Sequence, residues 1–286
     1  LTDAVHVVGA TGRTGFALCA ALAERGERVV AVVRNPSKWA ASGLPGDALA
    51  ADITDQDALH RALAGARRVV SIVHASHTAR ILAAAPDARL VLLGSTRRFS
   101  NVPDAHGDAV RAGEQALLRS GRPGVMLHPT MIYGGNDDGT VQRLAQVLRR
   151  LPILPLPGGG RSLVQPIHRS DLVRAILAAL DYAWSAPHAM VVAGPAPLPY
   201  AAFVSAVARA ARLPFRLIVP LPVGPMLALA QLGKHLPGFP QAGPDEIRRL
   251  AENKDFDITE MVKLLGVTPI SLNEGLARAF SEPQNT

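Results

Sequence analysis

The chain has 286 residues, 48% of them hydrophobic, and a formal charge of +7. That length buries one large core, as a single elaborated domain or as two joined lobes. One cysteine, Cys19, excludes an intrachain disulfide and makes a reducing compartment the simpler expectation. Metal-ligand spacings and a nucleophile elbow are both missing from the sequence, so metalloenzyme and serine-hydrolase chemistry have no support. The basic charge falls in scattered pairs, Arg67-Arg68, Arg97-Arg98, Arg149-Arg150 and Arg248-Arg249. Without aromatic interleaving these read as a solvated surface that favours anionic ligands, not as a nucleic-acid interface. The first apolar run begins near residue 4, so no leader peptide is expected in this sequence unless one was removed, and a cytoplasmic location is expected.

That run, 5–8, passes directly into Gly9-Ala10-Thr11-Gly12-Arg13-Thr14-Gly15 and then an apolar helical stretch carrying Cys19 on its inner face. Gly9 suits the tight turn out of a strand, Gly12 the approach of backbone to a pyrophosphate, and Gly15 close helix–strand packing. Thr11, Arg13 and Thr14 complete the turn, and the N–H groups opening the helix point at the phosphates. A second apolar strand, 28–33, follows, as the mechanism requires. In such sheets an acidic residue closing strand two binds the ribose hydroxyls of NAD, whereas an Arg there accommodates a 2′-phosphate. Arg34 holds that place, with Arg13 in the turn and Lys38 one helical turn on. NADP(H) is therefore the expected cofactor, with NAD the alternative.

Apolar runs and helical segments continue to alternate. Strand three is expected over 47–52, closing at Asp52-Ile53; a helix over 55–63; strand four over 68–74, closing at Val73-His74; and a helix over 76–85. Strand five, 89–94, leads into Ser95 and Thr96, then a helix over 108–120 and a strand over 124–128. Near-continuous apolar strands separated by helices describe a parallel sheet buried on both faces. The expected fold is α/β, a doubly wound parallel Rossmann sheet with the cofactor across the carboxyl ends of its strands.

Beyond Gly134 the composition changes. The proline- and glycine-rich stretch 151–160 reads as a loop opening a second lobe. A helix over 170–181 and a strand over 188–193 return to the sheet, while 200–212, 244–253, 259–265 and a stretch from 271 read as further helices. The core is expected to occupy 1–133 with 161–195 returning to it. Segments 134–160 and 196–286 form a smaller, mainly helical C-terminal substrate lobe. The uncharged stretch 217–233, interrupted by Pro220, Pro222 and Pro225, is too short and broken to span a membrane. A core or interlobe helix over 226–232 is expected there, bordering an apolar substrate pocket, with a lipid-facing patch as the alternative.

The glycine turn resembles the cofactor motif of the extended and atypical short-chain dehydrogenases, which include NmrA-like, isoflavone-reductase-like and sugar-nucleotide epimerase families. Ala51-Asp52-Ile53-Thr54-Asp55 resembles the segment whose Asp contacts adenine. His128-Pro129-Thr130-Met131-Ile132-Tyr133-Gly134-Gly135 resembles R-P-x-x-x-Y-G, and the segment from Gln165 through His168 and Asp171 to Leu172 resembles V-H-x-x-D-L. The tail is similar to proteins related to the complex I 39-kDa-type accessory subunit. The resemblance implies cofactor contacts from Gly9, Thr11, Gly12, Arg13, Thr14, Gly15, Arg34, Asp52, Ile53, Val73, His74 and Ser95, with Ser95 and Arg111 as catalytic candidates.

Relatives usually carry Y-x-x-x-K, in which the ammonium lowers the phenol pKa for proton exchange. This chain lacks it: none of Tyr133, Tyr182 and Tyr200 has Lys four residues on. Gly107 occupies the Tyr register and Arg111 the Lys position. Arg111 suits the nicotinamide ribose but not proton donation. His106 and His128 titrate in a useful range and serve only if the fold brings them to the nicotinamide; His168 and Asp171 read as structural, fixing their loop and capping a helix at Ser170. Three functions follow. The chain reads first as an NADP(H)-dependent oxidoreductase acting on a small, partly apolar substrate. A non-catalytic NAD(P) sensor or accessory protein is the alternative, and a nucleotide-sugar epimerase or dehydratase the third.

Overall fold

The computed structural model describes residues 3–135, 139–214, 216–227 and 243–281. Its first half alternates β1 (Val5–Val8), α1 (Arg13–Glu24), β2 (Val29–Val33), α2 (Pro36–Ala40), β3 (Asp47–Ala50) and α3 (Gln56–Leu63). Next come β4 (Arg68–Ser71), α4 (Thr78–Ala84), β5 (Arg89–Leu93), α5 (Ala105–Ser120) and β6 (Gly124–Pro129). Beyond these lie β7 (Ile132–Tyr133), α6 (Val141–Arg150), β8 (Ile153–Pro157), β9 (Leu163–Val164), β10 (Ile167–His168), α7 (Arg169–Asp181), β11 (Pro187–Val192), β12 (Leu198–Pro199), α8 (Tyr200–Ala210) and β13 (Leu217–Leu221). The described chain closes with α9 (Pro244–Leu250), α10 (Thr259–Leu265) and α11 (Leu272–Ser281).

Seven strands form one sheet in the order β11-β6-β5-β4-β1-β2-β3, with every pair parallel. All five residues of β2 are buried, as expected of a strand covered on both faces. On one face Leu18, Cys19 and Leu22 of α1, Leu172 and Ile176 of α7, and Met261 and Leu265 of α10 form a core. Leu59 and Leu63 of α3, Ile81 of α4, and Val110 and Leu117 of α5 cover the other. The strand order reverses at β1, between β2 and β4. A doubly wound sheet opens its ligand crevice there, beyond the carboxyl ends of the strands.

A third core joins Leu148 of α6, Leu154 and Leu156 of β8, Phe203 and Val207 of α8, and Leu276 of α11. It builds the smaller lobe, which is mainly helical but also carries short two-stranded pieces. The stretch expected as a loop over 151–160 contains β8, which pairs in parallel with β13, Ile153 opposite Leu217. A two-stranded ribbon has only edges, so Pro155 and Pro157 cost it no central ladder bond. The helix expected over 226–232 lies largely outside the described residues. No helix among the described residues is long and apolar enough to cross a membrane.

One boundary matters for the site: α5 begins at Ala105, not at 108. Asp104 caps it, Oδ1 accepting from the Gly107 N–H at 2.8 Å, and this brings His106 into the first helical turn.

Candidate cofactor and substrate site

The glycine turn sits at the reversal point. Gly9 has φ +88°, a conformation that suits glycine, and its N–H donates to the Val32 carbonyl at 3.1 Å. A Cβ on Gly15 would stand 2.3 Å from the Gly9 carbonyl oxygen, so α1 reaches the turn only because Gly15 has no side chain. At Gly12 a Cβ would meet only that same oxygen, at 3.4 Å. Gly12 is the N-cap of α1, without a side-chain cap and with no acidic residue in the first turn. Open space above Gly12 and an uncapped, acid-free helix start fit a pyrophosphate. Thr11 and Arg13 are exposed and Thr14 is half-buried; the Arg13 guanidinium lies against Gly139, in the segment after β7.

Around the turn, Arg34 and Lys38 are exposed beyond β2. Asp52, beyond β3, accepts from the Thr54 N–H at 2.8 Å and hydroxyl at 2.7 Å. Those bonds, helped by Arg34 and His77, hold its carboxyl below the usual range. Ile53 is half-buried against the second face of the sheet. Val73 packs on Gly9, where a Cβ would come within 3.0 Å of its Cγ1, and this places the end of β4 against the turn. His74, the next residue, has Nε2 3.0 Å from Nδ1 of His106.

Ser95 closes β5. Its N–H donates to Nδ1 of His128 at 3.2 Å and its Oγ accepts from the Arg97 N–H at 3.2 Å. His128 is 1% exposed, with Nε2 2.8 Å from Oε2 of Glu114; that oxygen also lies 2.5 Å from Nε of Arg98. Burial opposes ionisation of Glu114, yet His128 and Arg98 keep its carboxyl below the usual range. His128 is therefore enclosed beneath Ser95 and does not face a substrate. Arg111 donates to the Arg98 carbonyl at 2.6 Å and to Asp108, so its guanidinium serves the helix and the turn after β5. At Gly107 a Cβ would lie 2.9 Å from the Arg97 carbonyl oxygen; the Tyr register is closed by backbone.

Beside the Ser95 turn lies an open cleft of about 470 Å³, lined among others by Arg97, Phe99, Arg249, Glu252, Lys254 and Phe256. Its far wall, the segment after α9, is tied across by Glu252, which accepts from the Asn101 N–H at 2.7 Å and the Ser100 hydroxyl at 2.8 Å. Phe99 and Phe256 stand with centroids 5.5 Å apart. Arg97 and Arg249 share Asp104, at 2.9 and 3.2 Å. Burial works against Asp104 ionising, but the Gly107 N–H and Arg97 hold its pKa below the usual value.

The glycine turn, Asp52, Val73 with His74, and Ser95 thus follow the carboxyl ends of β1, β3, β4 and β5, whereas Arg111 is engaged by Asp108 and the Arg98 carbonyl and His128 lies beside Glu114. The His74–His106 pair and the wall beyond α9 were not evident from the sequence. The pair is formed by residues 32 positions apart, and their only sequence signal is a His just past each of two neighbouring structural boundaries. His168 accepts from the Ser170 N–H at 3.2 Å, and buried Asp171 accepts from the Ile270 N–H at 2.9 Å; both hold α7 in place.

Residues 9–123 match the family model for NAD(P)H-binding. Fold and glycine turn together define a Rossmann fold whose residues 9–123 are similar to NAD(P)H-binding domains, and solved structures of the short-chain dehydrogenase/reductase type share that fold. An uncharacterized protein of Mycobacterium tuberculosis is 32% identical over 186 residues, covering 62% of this chain and 20% of that protein. Ceramide reductase of Caulobacter vibrioides is 30% identical over 197 residues, covering 62% of each. The match thus spans about a fifth of the mycobacterial relative's length. Among solved structures, the NADPH-dependent quinone oxidoreductase of Escherichia coli, complexed with NADPH, superposes with TM-score 0.76 at 19% identity, covering 97% of this chain and 100% of that one. UDP-glucose 4-epimerase of Thermotoga maritima gives 0.72 at 16% identity, covering 96% and 97%.

Proposed function

We propose that the protein is an NADP(H)-dependent oxidoreductase that reduces a small, partly apolar carbonyl or activated alkene. The observation that carries this reading is the cleft beside the Ser95 turn, with its phenylalanine pair, at the carboxyl ends of the strands that carry the glycine turn. Arg34, at the place where an acidic residue would select NAD, supports NADP(H). The ceramide reductase and quinone oxidoreductase likenesses support a reductive reaction. Bound reduced nicotinamide would supply a hydride; the chain's own residues would hold the substrate close enough to receive it. Ser95 would then hydrogen-bond the reacting oxygen through its hydroxyl proton, whose oxygen is already fixed by the Arg97 N–H.

The test is NADPH oxidation followed spectrophotometrically across ketones, quinones and enones. Consumption with at least one class is expected. A second reading, a cofactor-binding sensor without turnover, is favoured by the engagement of Arg111 with Asp108 and the Arg98 carbonyl. Tight NADPH binding with no oxidation by any class would establish it.

A further inference from the structure

We propose that His106 and His74 form a proton relay in which Nε2 of His106 gives its proton to the reacting oxygen, filling the role left by the missing tyrosine. This rests on the oxidoreductase reading above. The relay is placed by contacts at both ends. Val73 lies against Gly9 of the cofactor turn, so His74 sits at the crevice. His106 stands one residue before the closed Tyr register, in the turn of α5 that Asp104 caps. The charges acting on His106 are Arg97, His74, Asp104 and Arg249, and both arginines line the cleft. The pair therefore stands beyond the carboxyl end of β4, next to arginines that line the cleft.

The direction of the relay follows from one backbone group. Nδ1 of His74 lies 3.3 Å from the Ser76 N–H and 2.9 Å from the Ser76 hydroxyl. A backbone N–H can only donate, so this nitrogen is bare and His74 carries its proton on Nε2. That proton points at Nδ1 of His106, 3.0 Å away, across rings set edge to face with centroids 4.3 Å apart. Nδ1 of His106 thus accepts, and neutral His106 carries its own proton on Nε2, the end not used by the pair. Both rings are half-buried and Ser76 is exposed, so water can reach the outer end of the chain.

The step balances for a carbonyl substrate. Hydride adds to the carbonyl carbon and the C=O π pair moves to oxygen, which takes the proton from Nε2 of His106. Nδ1 of His106 takes the proton from Nε2 of His74, Nδ1 of His74 takes that of the Ser76 hydroxyl, and water resupplies Ser76. The substrate gains two electrons and the nicotinamide loses them; each imidazole ends neutral with its proton moved to the other nitrogen, and once the product has left, a proton from water onto Nε2 of His106, passed back through the pair and released at Ser76, restores it. The neighbouring groups do not compete: Arg111 does not give up a proton, and His128 is enclosed.

Two measurements on the whole protein test the relay. Long-range ¹H–¹⁵N NMR of the histidine rings at neutral pH should find both His74 and His106 protonated at Nε2, with and without NADP⁺. In the carbonyl assay, His106→Phe should lower kcat by about 100-fold or more, the lower range for general acid catalysis, with unchanged NADPH affinity and a lost solvent isotope effect. His74→Gln should give a smaller loss in kcat. A proton on Nδ1 of His74, or His106→Phe turning over at the unsubstituted rate, would overturn the relay alone. Turnover of activated alkenes without any carbonyl reduction would likewise overturn the relay alone, whereas NADPH oxidation by none of the ketones, quinones and enones would overturn the oxidoreductase reading and the relay with it.

Discussion

The backbone N–H of Ser95 donates to Nδ1 of His128 at 3.2 Å, and the other nitrogen of that ring lies 2.8 Å from Glu114. The end of β5 is therefore fixed from below by a buried imidazole, which also stands edge to face with Phe99 of the cleft wall, centroids 6.2 Å apart. Because a backbone N–H occupies Nδ1, the proton of His128 sits on Nε2 and faces the carboxylate. Glu114→Ala would remove the buried carboxylate that stands at ion-pair distance from His128 and from Nε of Arg98. The expected cost is about 2–4 kcal/mol, read as a lowered midpoint in urea unfolding. Glu114→Gln, which still offers an acceptor, should lose less; equal losses would show that the carboxylamide contact contributes nothing.

Arg34 is the residue expected to separate the two cofactors. Its replacement by Ala should weaken NADPH binding by roughly 10- to 100-fold, the range for a hydrogen bond to a charged group, while leaving NADH affinity nearly unchanged. Calorimetric titration of both cofactors decides this. Equal losses for the two would move the 2′-phosphate contact elsewhere, to Arg13 or Lys38.

Two of the turn glycines, Gly12 and Gly15, should behave differently when given side chains. Gly12 has φ −77° and space above it, so Gly12→Val should fold normally, yet lose NADPH because the isopropyl group fills the pyrophosphate position. Gly15→Val would drive a Cβ to 2.3 Å from the Gly9 carbonyl, and should cost about 1–3 kcal/mol or more through overpacking. Circular dichroism melts alongside NADPH titrations separate the two effects. Normal binding by Gly12→Val would remove the turn from the cofactor site.

Acid should destabilise the protein, beginning just below neutrality. Burial lowers the pKa of His6, His77 and His106, and Arg28, Arg80 and Arg97 respectively add to it. A lowered histidine pKa means that the unfolded chain binds protons first, so stability rises with pH across that interval. Nothing is lost above the ordinary histidine value of about 6.5; the loss grows as pH falls from there toward the folded values. Glu27, Asp104 and Glu114, all held below their usual values, extend the decline through the carboxylate range. The melting temperature should fall from pH 7 to pH 5, less steeply in His106→Gln. A flat profile over that interval would contradict the sign.

Sequence alone determined the features that depend on neighbours in the chain. Buried parallel strands announce themselves as apolar runs because both faces are covered, and the glycine turn is legible because a tight turn, an uncapped helix start and close packing at Gly15 are all settled within seven residues. Arg34 could be placed because it directly follows β2. What tertiary structure decided depends on segments meeting. The prolines of β8 read as a loop until β13 supplied a partner for Ile153 at Leu217, since an edge ribbon tolerates what a central strand does not. The start of α5 moved to Ala105 because the Asp104 carboxylate, itself held by Arg97 and Arg249, accepts the Gly107 N–H. His106 and His128 looked alike as titratable candidates, and only packing separates them: β6 buries His128 on Glu114, while the crossover from β4 brings His74 against His106. A hydrogen bond needs its partner within about 3 Å, and for residues far apart in sequence that distance is set by how the sheet orders its strands.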